Sequence, residues 1–367
     1  MVADRTSPYL NVPPSARWRD AMADQPSASI NPHAGPDFRI SSTDRIASAG
    51  SCFAQRISEA LRARNYNYLI TEEGPPFATP EAREAMGYGV YSARYGNLYT
   101  ALQLLQLFER AFGEFEPQEP VWTNPEGLFV DPFRSGVQPG GFDSETACLW
   151  DRRSHLKAAR RVFEEADVFT FTLGLTESWT SAADGAVFPN APGSGLGGQY
   201  DPDRHKFHNF TVAEVVDHLD RFIVKLAVIN PAARIILTVS PVPLIATFES
   251  RHVLQSSVYS KSVLRVACDE IIRRHPHVSY FASYEIVTAT GDSASAFLPD
   301  RRAVSDATVD HVIDCFAQQF MGSDFARVAA APVATTLPEL ASRKSPMCDE
   351  DEILRALASQ SSASAPA

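Results

Sequence analysis

The chain has 367 residues, a formal net charge of −11 and 44% hydrophobic residues, a composition typical of a soluble globular protein. This acidic balance argues against a protein whose main partner is nucleic acid or an anionic membrane surface. The five cysteines are widely spaced and form no CxxC pair, which excludes a disulfide framework and a zinc-ligand pattern. The N-terminus lacks the apolar core of a signal peptide, and no apolar stretch is long enough to span a bilayer. We therefore expect a cytoplasmic protein with no membrane span.

The two ends of the chain lack a sustained apolar period. Residues 1–43 are rich in Pro, Ser, Asn and Asp and predict an irregular N-terminal arm. Residues 331–367 are rich in Ala, Ser and Pro, which predicts a disordered tail. Within that tail, apolar residues at helical spacing predict a short helix over 349–358. The folded domain is expected to cover residues 44–322.

Strand-like and helix-like segments alternate through this domain. Runs of β-branched and aromatic residues predict strands, here over 45–49, 167–173, 234–239 and 278–281. Apolar residues at helical spacing predict amphipathic helices, here over 53–64, 97–112, 157–166, 212–229, 260–275 and 307–320. This alternation predicts an α/β fold with a central, mainly parallel sheet between two layers of helices, a three-layer α/β/α architecture. Residues 115–155 and 180–210 fit the rhythm poorly and predict insertions.

Ligands of open α/β sheets bind beyond the carboxyl ends of the strands, so functional residues are expected in the loops that follow the strands. The first loop reads Gly50-Ser51-Cys52-Phe53-Ala54 and leads into a predicted helix. Glycine permits a tight turn, and a thiol at a helix N-terminus has a lowered pKa. Cys52 is therefore a candidate thiolate nucleophile. The alternative is a small buried cysteine that only fills space in the core.

The loop after the second strand is also polar. It reads Gly174-Leu175-Thr176-Glu177-Ser178-Trp179. Trp179 has two interpretations of equal weight, stacking on a sugar ring or packing beneath the loop. Further along, residues 193–198 match GxGxxG by letter but follow no strand and open no helix, so they do not indicate a dinucleotide site. No His, Cys and Asp spacing fits a zinc site, and we expect neither a metal nor another cofactor.

These motifs resemble those of the GSCFA family, which is related to the SGNH hydrolases. The resemblance begins with the run GSCFA at 50–54 and covers roughly residues 40–322. It implies an SGNH-like fold with a flavodoxin-like parallel sheet. Further motifs agree in order and spacing: Tyr95-Gly96-Asn97, the run 171–179, the run 238–243, Tyr259-Ser260-Lys261, the run 280–286 and Asp300.

The relationship to the SGNH hydrolases implies roles for individual residues. Cys52 takes the nucleophile position, and its backbone N–H would supply one oxyanion donor. Gly96 matches the second donor, and Thr176 matches the third, where those enzymes carry Asn. The further side chains that are expected to bind the oxyanion or the substrate are Ser51, Asn97, Glu177, Trp179 and Lys261.

The base of the reaction is the open question. The last SGNH block, Asp-x-x-His, matches Asp300 to Ala303, so the Asp is present and the His is replaced. A nucleophile still needs a proton acceptor or a lowered pKa. We favour His252, whose loop leaves the catalytic edge of the sheet. The alternatives are His311 and His208, or activation of Cys52 by the helix dipole together with Lys261 or Arg301.

Two functions follow from the sequence. The first is an acyl-ester hydrolase or O-acyltransferase that acts through Cys52, with a small-molecule or glycan ester as its substrate and no nucleic acid partner. The second is a catalytically inactive, SGNH-like carbohydrate-binding protein, which the missing histidine favours. The sequence leaves the acyl group, the acceptor and the oligomeric state open.

Overall fold

The computed structural model of the chain describes residues 7–26, 29–33, 38–134, 136–194, 196–289 and 296–321. The predicted disordered tail and its predicted helix over 349–358 lie outside the described residues. The described part of the N-terminal arm forms three short helical turns, Pro8–Asn11, Pro14–Ala16 and Arg19–Ala23. No helix within the described ranges is long and apolar enough to cross a bilayer.

The regular elements alternate through the domain. The strands are β1 (Ile46–Gly50), β2 (Trp122–Thr123), β3 (Phe129–Val130), β4 (Val168–Leu173), β5 (Glu177–Ser181), β6 (Val187–Phe188), β7 (His205–Asn209), β8 (Arg234–Val239) and β9 (Val278–Phe281). The helices are α1 (Cys52–Ala63), α2 (Pro80–Ala85), α3 (Ala101–Ala111), α4 (Glu145–Glu165), α5 (Val212–Ile229), α6 (Val253–Arg274), α7 (Ser283–Ala289) and α8 (Asp306–Phe320).

The central sheet has four strands in the order β1-β4-β8-β9, and every pairing is parallel. Nearly all residues of these strands are buried on both faces, because parallel strands are covered by crossover helices on each side. The predicted α/β fold with a parallel central sheet and a helical layer on each face is confirmed.

Each face of the sheet contributes to a separate core. Phe169, Phe171 and Leu237 point to one face and pack with residues of α3, α4, α5 and α6. Val168 and Ile236 point to the other face and pack with residues of α1 and α8. This alternation follows from the two-residue period of a strand. The parallel pairing places the carboxyl ends of all four strands at one edge.

Two helices are longer than the sequence predicts. The helix predicted over 157–166 is α4, which begins at Glu145 inside the segment predicted to be an insertion. The helix predicted over 260–275 is α6, which begins at Val253. In both cases the first turns bury polar side chains, among them Arg152 in α4 and Ser256 in α6. A search for apolar periodicity does not detect such a face.

Small antiparallel sheets occupy the predicted insertions. The region 180–210 supplies β6 and β7, which flank β5 in a three-stranded sheet. The region 115–155 supplies the β2-β3 pair. The three-stranded sheet begins with β5, directly after β4, and therefore lies beside the carboxyl edge of the main sheet.

Candidate functional site

A close backbone contact fixes the turn from β1 into α1. Gly50 has φ +141°, and a Cβ at this position would lie 2.5 Å from the carbonyl oxygen of Thr172 on β4. Only glycine fits such an approach. Ser51 precedes the helix, its backbone N–H donates to Thr172 O at 3.1 Å, and its buried Oγ has no hydrogen-bond partner among the described residues. Cys52 is therefore the first residue of α1, where backbone N–H groups have no partner within the helix.

Lys261 is buried close enough to Cys52 for the charges of the two groups to interact. The thiol is 2% exposed and Lys261 is 4% exposed. The Lys261 ammonium donates to the carbonyl oxygen of Gly174, just beyond β4. Burial lowers the pKa of Lys261 to about 7, the Cys52 thiolate opposes this shift, and the charge of Arg302 adds to it. A lysine whose pKa lies near neutrality can take and return a proton at neutral pH.

Asn97 is held beside the same turn. Its Oδ1 accepts hydrogen bonds from the Tyr91 hydroxyl at 2.6 Å and from Gln55 Nε2 at 3.0 Å. The Tyr91 hydroxyl also lies 3.0 Å from Ser51 O, which ties this group to the turn. Two donors on Oδ1 fix the orientation of the amide, so the Nδ2 donor points to the opposite side. Gly96, with φ +69°, precedes Asn97 and bends the chain at this position.

Thr176 has a different environment from the one that the sequence predicts. Its backbone N–H donates to Ser260 Oγ at 2.9 Å, and its hydroxyl donates to Asn209 Oδ1 at 2.6 Å. The Asn209 amide in turn donates to Glu249 Oε1 at 2.8 Å. A hydroxyl has one proton, so in this arrangement Thr176 has no donor left for an oxyanion. It instead ties β7 to the loop after β4.

Glu177 accepts two hydrogen bonds from the loop that follows β8. Its Oε1 accepts from the Thr247 hydroxyl at 2.6 Å, and its Oε2 accepts from the Phe248 backbone N–H at 3.1 Å. Both carboxylate oxygens are thus engaged by the same loop, and the structure gives Glu177 a positioning role.

His252, the base that the sequence favours, lies away from Lys261. It is the exposed N-cap of α6, and its Nδ1 accepts from the Leu254 backbone N–H at 3.1 Å. Lys261 lies nine residues further along the same helix, about 13 Å along the axis at a rise of about 1.5 Å per residue. Of the other candidates, His311 bonds the Ile30 carbonyl of the arm, and His208 pairs with Glu214.

Asp300 shapes the loop that brings Arg302 to the site. It is exposed, and its Oδ1 accepts from the backbone N–H groups of Arg302 at 2.9 Å and Ala303 at 3.0 Å. Arg301 takes a left-handed conformation with φ +57° in the same turn. The charge of the next residue, Arg302, acts on Lys261.

An open pocket of about 370 Å³ adjoins the site at the carboxyl edge of β4 and β8. Trp179 is half-buried in its wall, and its ring makes edge-on contacts with Tyr200, Phe207 and Phe248. The ring therefore packs against aromatic neighbours and also lines the pocket. The wall comprises Tyr99, Leu175, Glu177, Ser178, Trp179, Phe188, Pro189, Asn190, Ala191, Pro192, Tyr200, Phe207, Leu244, Ile245, Ala246, Thr247 and Phe248.

A signal for the role of Lys261 was present in the sequence. Lys261 lies three residues before Leu264 and seven before Cys268, and both of these are fully buried. A lysine at this spacing occupies the core-facing stripe of an amphipathic helix, where a charged residue is rare without a partner. No such signal marked Tyr91 or Gln55, whose hydrogen bonds depend on the tertiary fold.

Comparison with known proteins gives a family. No curated protein sequence matches this chain. One solved structure that matches is a carbohydrate esterase family 2 enzyme with a carbohydrate-binding domain from Corynascus thermopiles (Myceliophthora fergusii), at 12% identity and a TM-score of 0.29, over 81% of this chain and 68% of that chain. The family model of the GSCFA family matches residues 45–316, which is well over half of the sequence. The chain therefore belongs to the GSCFA family.

Proposed function

We propose that this protein is an acyl-ester hydrolase or O-acyltransferase that uses Cys52 as its nucleophile and Lys261 as its base. The observation that carries the proposal is a buried amine beside the turn that holds Cys52: Lys261 is 4% exposed and donates to the carbonyl oxygen of Gly174, where an added Cβ would lie 3.1 Å from Ser51 Cβ. A base that is neutral near pH 7 can activate a neighbouring thiol as a nucleophile. Lys261 would take the place of the histidine that Ala303 replaces.

The reaction would proceed in two acyl transfers. The neutral Lys261 amine takes the Cys52 proton while Sγ attacks the acyl carbon, and a tetrahedral oxyanion forms. The carbon–oxygen bond of the ester then breaks, the leaving alcohol oxygen takes the proton from the Lys261 ammonium, and a Cys52 thioester remains. Water or a sugar hydroxyl next gives its proton to Lys261 and attacks the thioester. Collapse of the second oxyanion releases the acid or the new ester, and the proton returns to Sγ.

The oxyanion would be stabilised by donors from two elements. The backbone N–H of Cys52 lies at the N-terminus of α1, where the helix dipole favours a developing negative charge. We assign the second donor to the side-chain amide of Asn97, whose orientation is set by the hydrogen bonds that Gln55 and Tyr91 donate to its Oδ1. Asn97 thus replaces Thr176 in this role. Donors that are held in place before the reaction stabilise the transition state without reorganisation.

The second candidate is the inactive carbohydrate-binding protein. Two observations favour it: the thiol is only 2% exposed, and the usual histidine position holds Ala303. The aromatic wall around Trp179 would then serve as a stacking surface for a sugar.

Turnover of a panel of small esters tests the first function. We expect Cys52→Ala and Lys261→Met to lose at least about 10³-fold in kcat/KM, while the matched variant Cys268→Ala retains activity. His252→Ala separates the two candidate bases, and it should leave kcat/KM within about threefold of the wild type. Turnover that survives in Cys52→Ala would refute the proposal. Turnover lost in His252→Ala but kept in Lys261→Met would assign the base to His252.

Alkylation separates the enzyme from the binding protein without a known substrate. Burial raises the pKa of Cys148 to about 11, of Cys268 to about 12 and of Cys315 to about 11, so these groups remain thiols at neutral pH. An activated Cys52 is expected to react with iodoacetamide first at pH 7.5, and Lys261→Met should slow that reaction. Equal labelling of Cys52 and Cys148 would favour the binding protein.

A further inference from the structure

The peptide unit Gly174-Leu175 links the pocket to Lys261, the proposed base. The carbonyl oxygen of Gly174 accepts from Lys261, and the next residue, Leu175, lines the pocket. A Cβ at Gly174 would lie 3.0 Å from the ring of Tyr99 and 3.1 Å from Ser51 Cβ. Tyr99 also lines the pocket. One end of the pocket therefore adjoins the turn that carries Cys52.

The wall of this pocket is mainly apolar. Aliphatic side chains from Leu175, Leu244 and Ile245 face the rings of the small antiparallel sheet. Glu177 is the charged residue of the wall, and both of its carboxylate oxygens already accept hydrogen bonds from the loop after β8. A sugar ring needs several polar partners, whereas an apolar group needs only area removed from water.

The volume indicates the size of an occupant that would fill the pocket. One water molecule needs about 10–15 Å³ of cavity volume, so a pocket of about 370 Å³ has room for a group much larger than acetyl. A straight acyl chain of about eight carbons fits with room for its carbonyl end. An acetyl group would leave most of the apolar wall in contact with water.

We propose that this pocket binds the acyl chain of the ester and selects chains of about eight carbons over short ones. This inference rests on the proposed function, because it assigns the acyl carbonyl to the Cys52 end of the pocket. The alcohol part of the substrate would then extend toward solvent. Each methylene buried in the pocket contributes about 0.8 kcal/mol, which is about fourfold in affinity.

Binding to a variant without the nucleophile tests the inference apart from catalysis. Calorimetric titration of Cys52→Ala with octanoate and butyrate should give octanoate at least tenfold tighter, within the limit of about 10²-fold that four methylenes allow. Leu175→Trp in the same background should remove the preference by filling the Cys52 end. Ala246→Trp, at the exposed mouth, is a second blocking variant that does not disturb buried packing. Val228→Trp on α5, at a position 77% exposed, is the matched control and should change nothing.

The outcomes separate this inference from the proposed function. In the wild type, kcat/KM should rise about fourfold per methylene up to about eight carbons. Octanoate binding without any Cys52-dependent turnover would uphold the pocket and refute the enzyme. Cys52-dependent turnover with no dependence on chain length would uphold the enzyme and overturn the pocket. Equal binding of butyrate and octanoate, tight binding of a monosaccharide in place of octanoate, or a preference unchanged by both tryptophan variants would also overturn it.

Discussion

Replacing Lys261 with Met should make the protein more stable and inactive at the same time. The fold holds this amine almost fully buried, and the pKa falls from 10.5 to about 7 as a result of burial. Each pKa unit corresponds to about 1.4 kcal/mol, so the buried amine costs about 5 kcal/mol of folding free energy relative to an exposed one near neutral pH. Methionine has a similar length and no charge to desolvate.

The lost hydrogen bond offsets part of this gain. Without Lys261 the Gly174 carbonyl loses its donor, which costs about 1–3 kcal/mol for a buried acceptor. The net expectation is an unfolding free energy about 2–4 kcal/mol higher for Lys261→Met at pH 7. The same substitution removes the base, and kcat/KM should fall at least about 10³-fold. Functional sites commonly carry such a stability cost.

The pH dependence gives this prediction a second signature. Between pH 7 and 10.5 the unfolded chain binds a proton that the folded Lys261 has lost. The stability of the wild type therefore rises with pH over this range relative to the variant, because the unfolded state binds more protons. The advantage of Lys261→Met should shrink by about 2 kcal/mol from pH 7 to pH 9.

Urea unfolding of both proteins at these two pH values measures the effect. Lys206→Met is the matched control, because Lys206 also donates to a backbone carbonyl, that of Pro202 at 2.6 Å, but is exposed. Its stability difference should stay within about 0.5 kcal/mol at both pH values. A Lys261→Met variant that is less stable than the wild type at pH 7, with a difference independent of pH, would refute the reasoning.

Three further predictions concern other parts of the site and fold. Gly50→Ala should lower the unfolding free energy by about 3 kcal/mol or more, because the new methyl overlaps the backbone of the neighbouring strand. The control Gly113→Ala, whose new methyl meets open space, should cost only about 1–2 kcal/mol. Equal costs of the two variants in urea unfolding would contradict the steric account. Asp131→Asn should cost about 3–5 kcal/mol in the same assay, because this buried carboxylate pairs with two buried arginines. Burial raises the pKa of Asp131, but the two arginines outweigh burial and hold that pKa far below the usual range. A loss under about 1 kcal/mol would mean that the charges are solvated. Thr176→Val should change kcat/KM less than about tenfold in a steady-state assay, whereas Asn97→Ala should lower it about 10²–10³-fold. A larger loss in Thr176→Val than in Asn97→Ala would return the oxyanion role to the threonine.

The strands and several helices could be predicted from the sequence because their signals are local. The predicted bounds of β8, β9 and α5 agree with the structure, since each is a short apolar run or a regular amphipathic pattern. The turn that carries Cys52 was predictable as well, because a glycine, a strand and a helix are adjacent in the chain. The polar first turns of α4 and α6 escaped prediction, because they bury charged and hydroxyl groups against partners outside the helix, and such a face has no apolar period.

The sequence by itself determined that Cys52 begins a helix at the end of a buried strand. Only the tertiary structure decided what faces that thiol. The periodicity of α6 reveals that Lys261 lies on its buried side, but the identity of its neighbours depends on how α6 packs against the loop after β4. Likewise, a hydroxyl such as that of Thr176 can donate in any direction until Asn209 is placed beside it. Local pattern fixes elements through backbone geometry, whereas a site depends on side chains brought together from distant elements by packing.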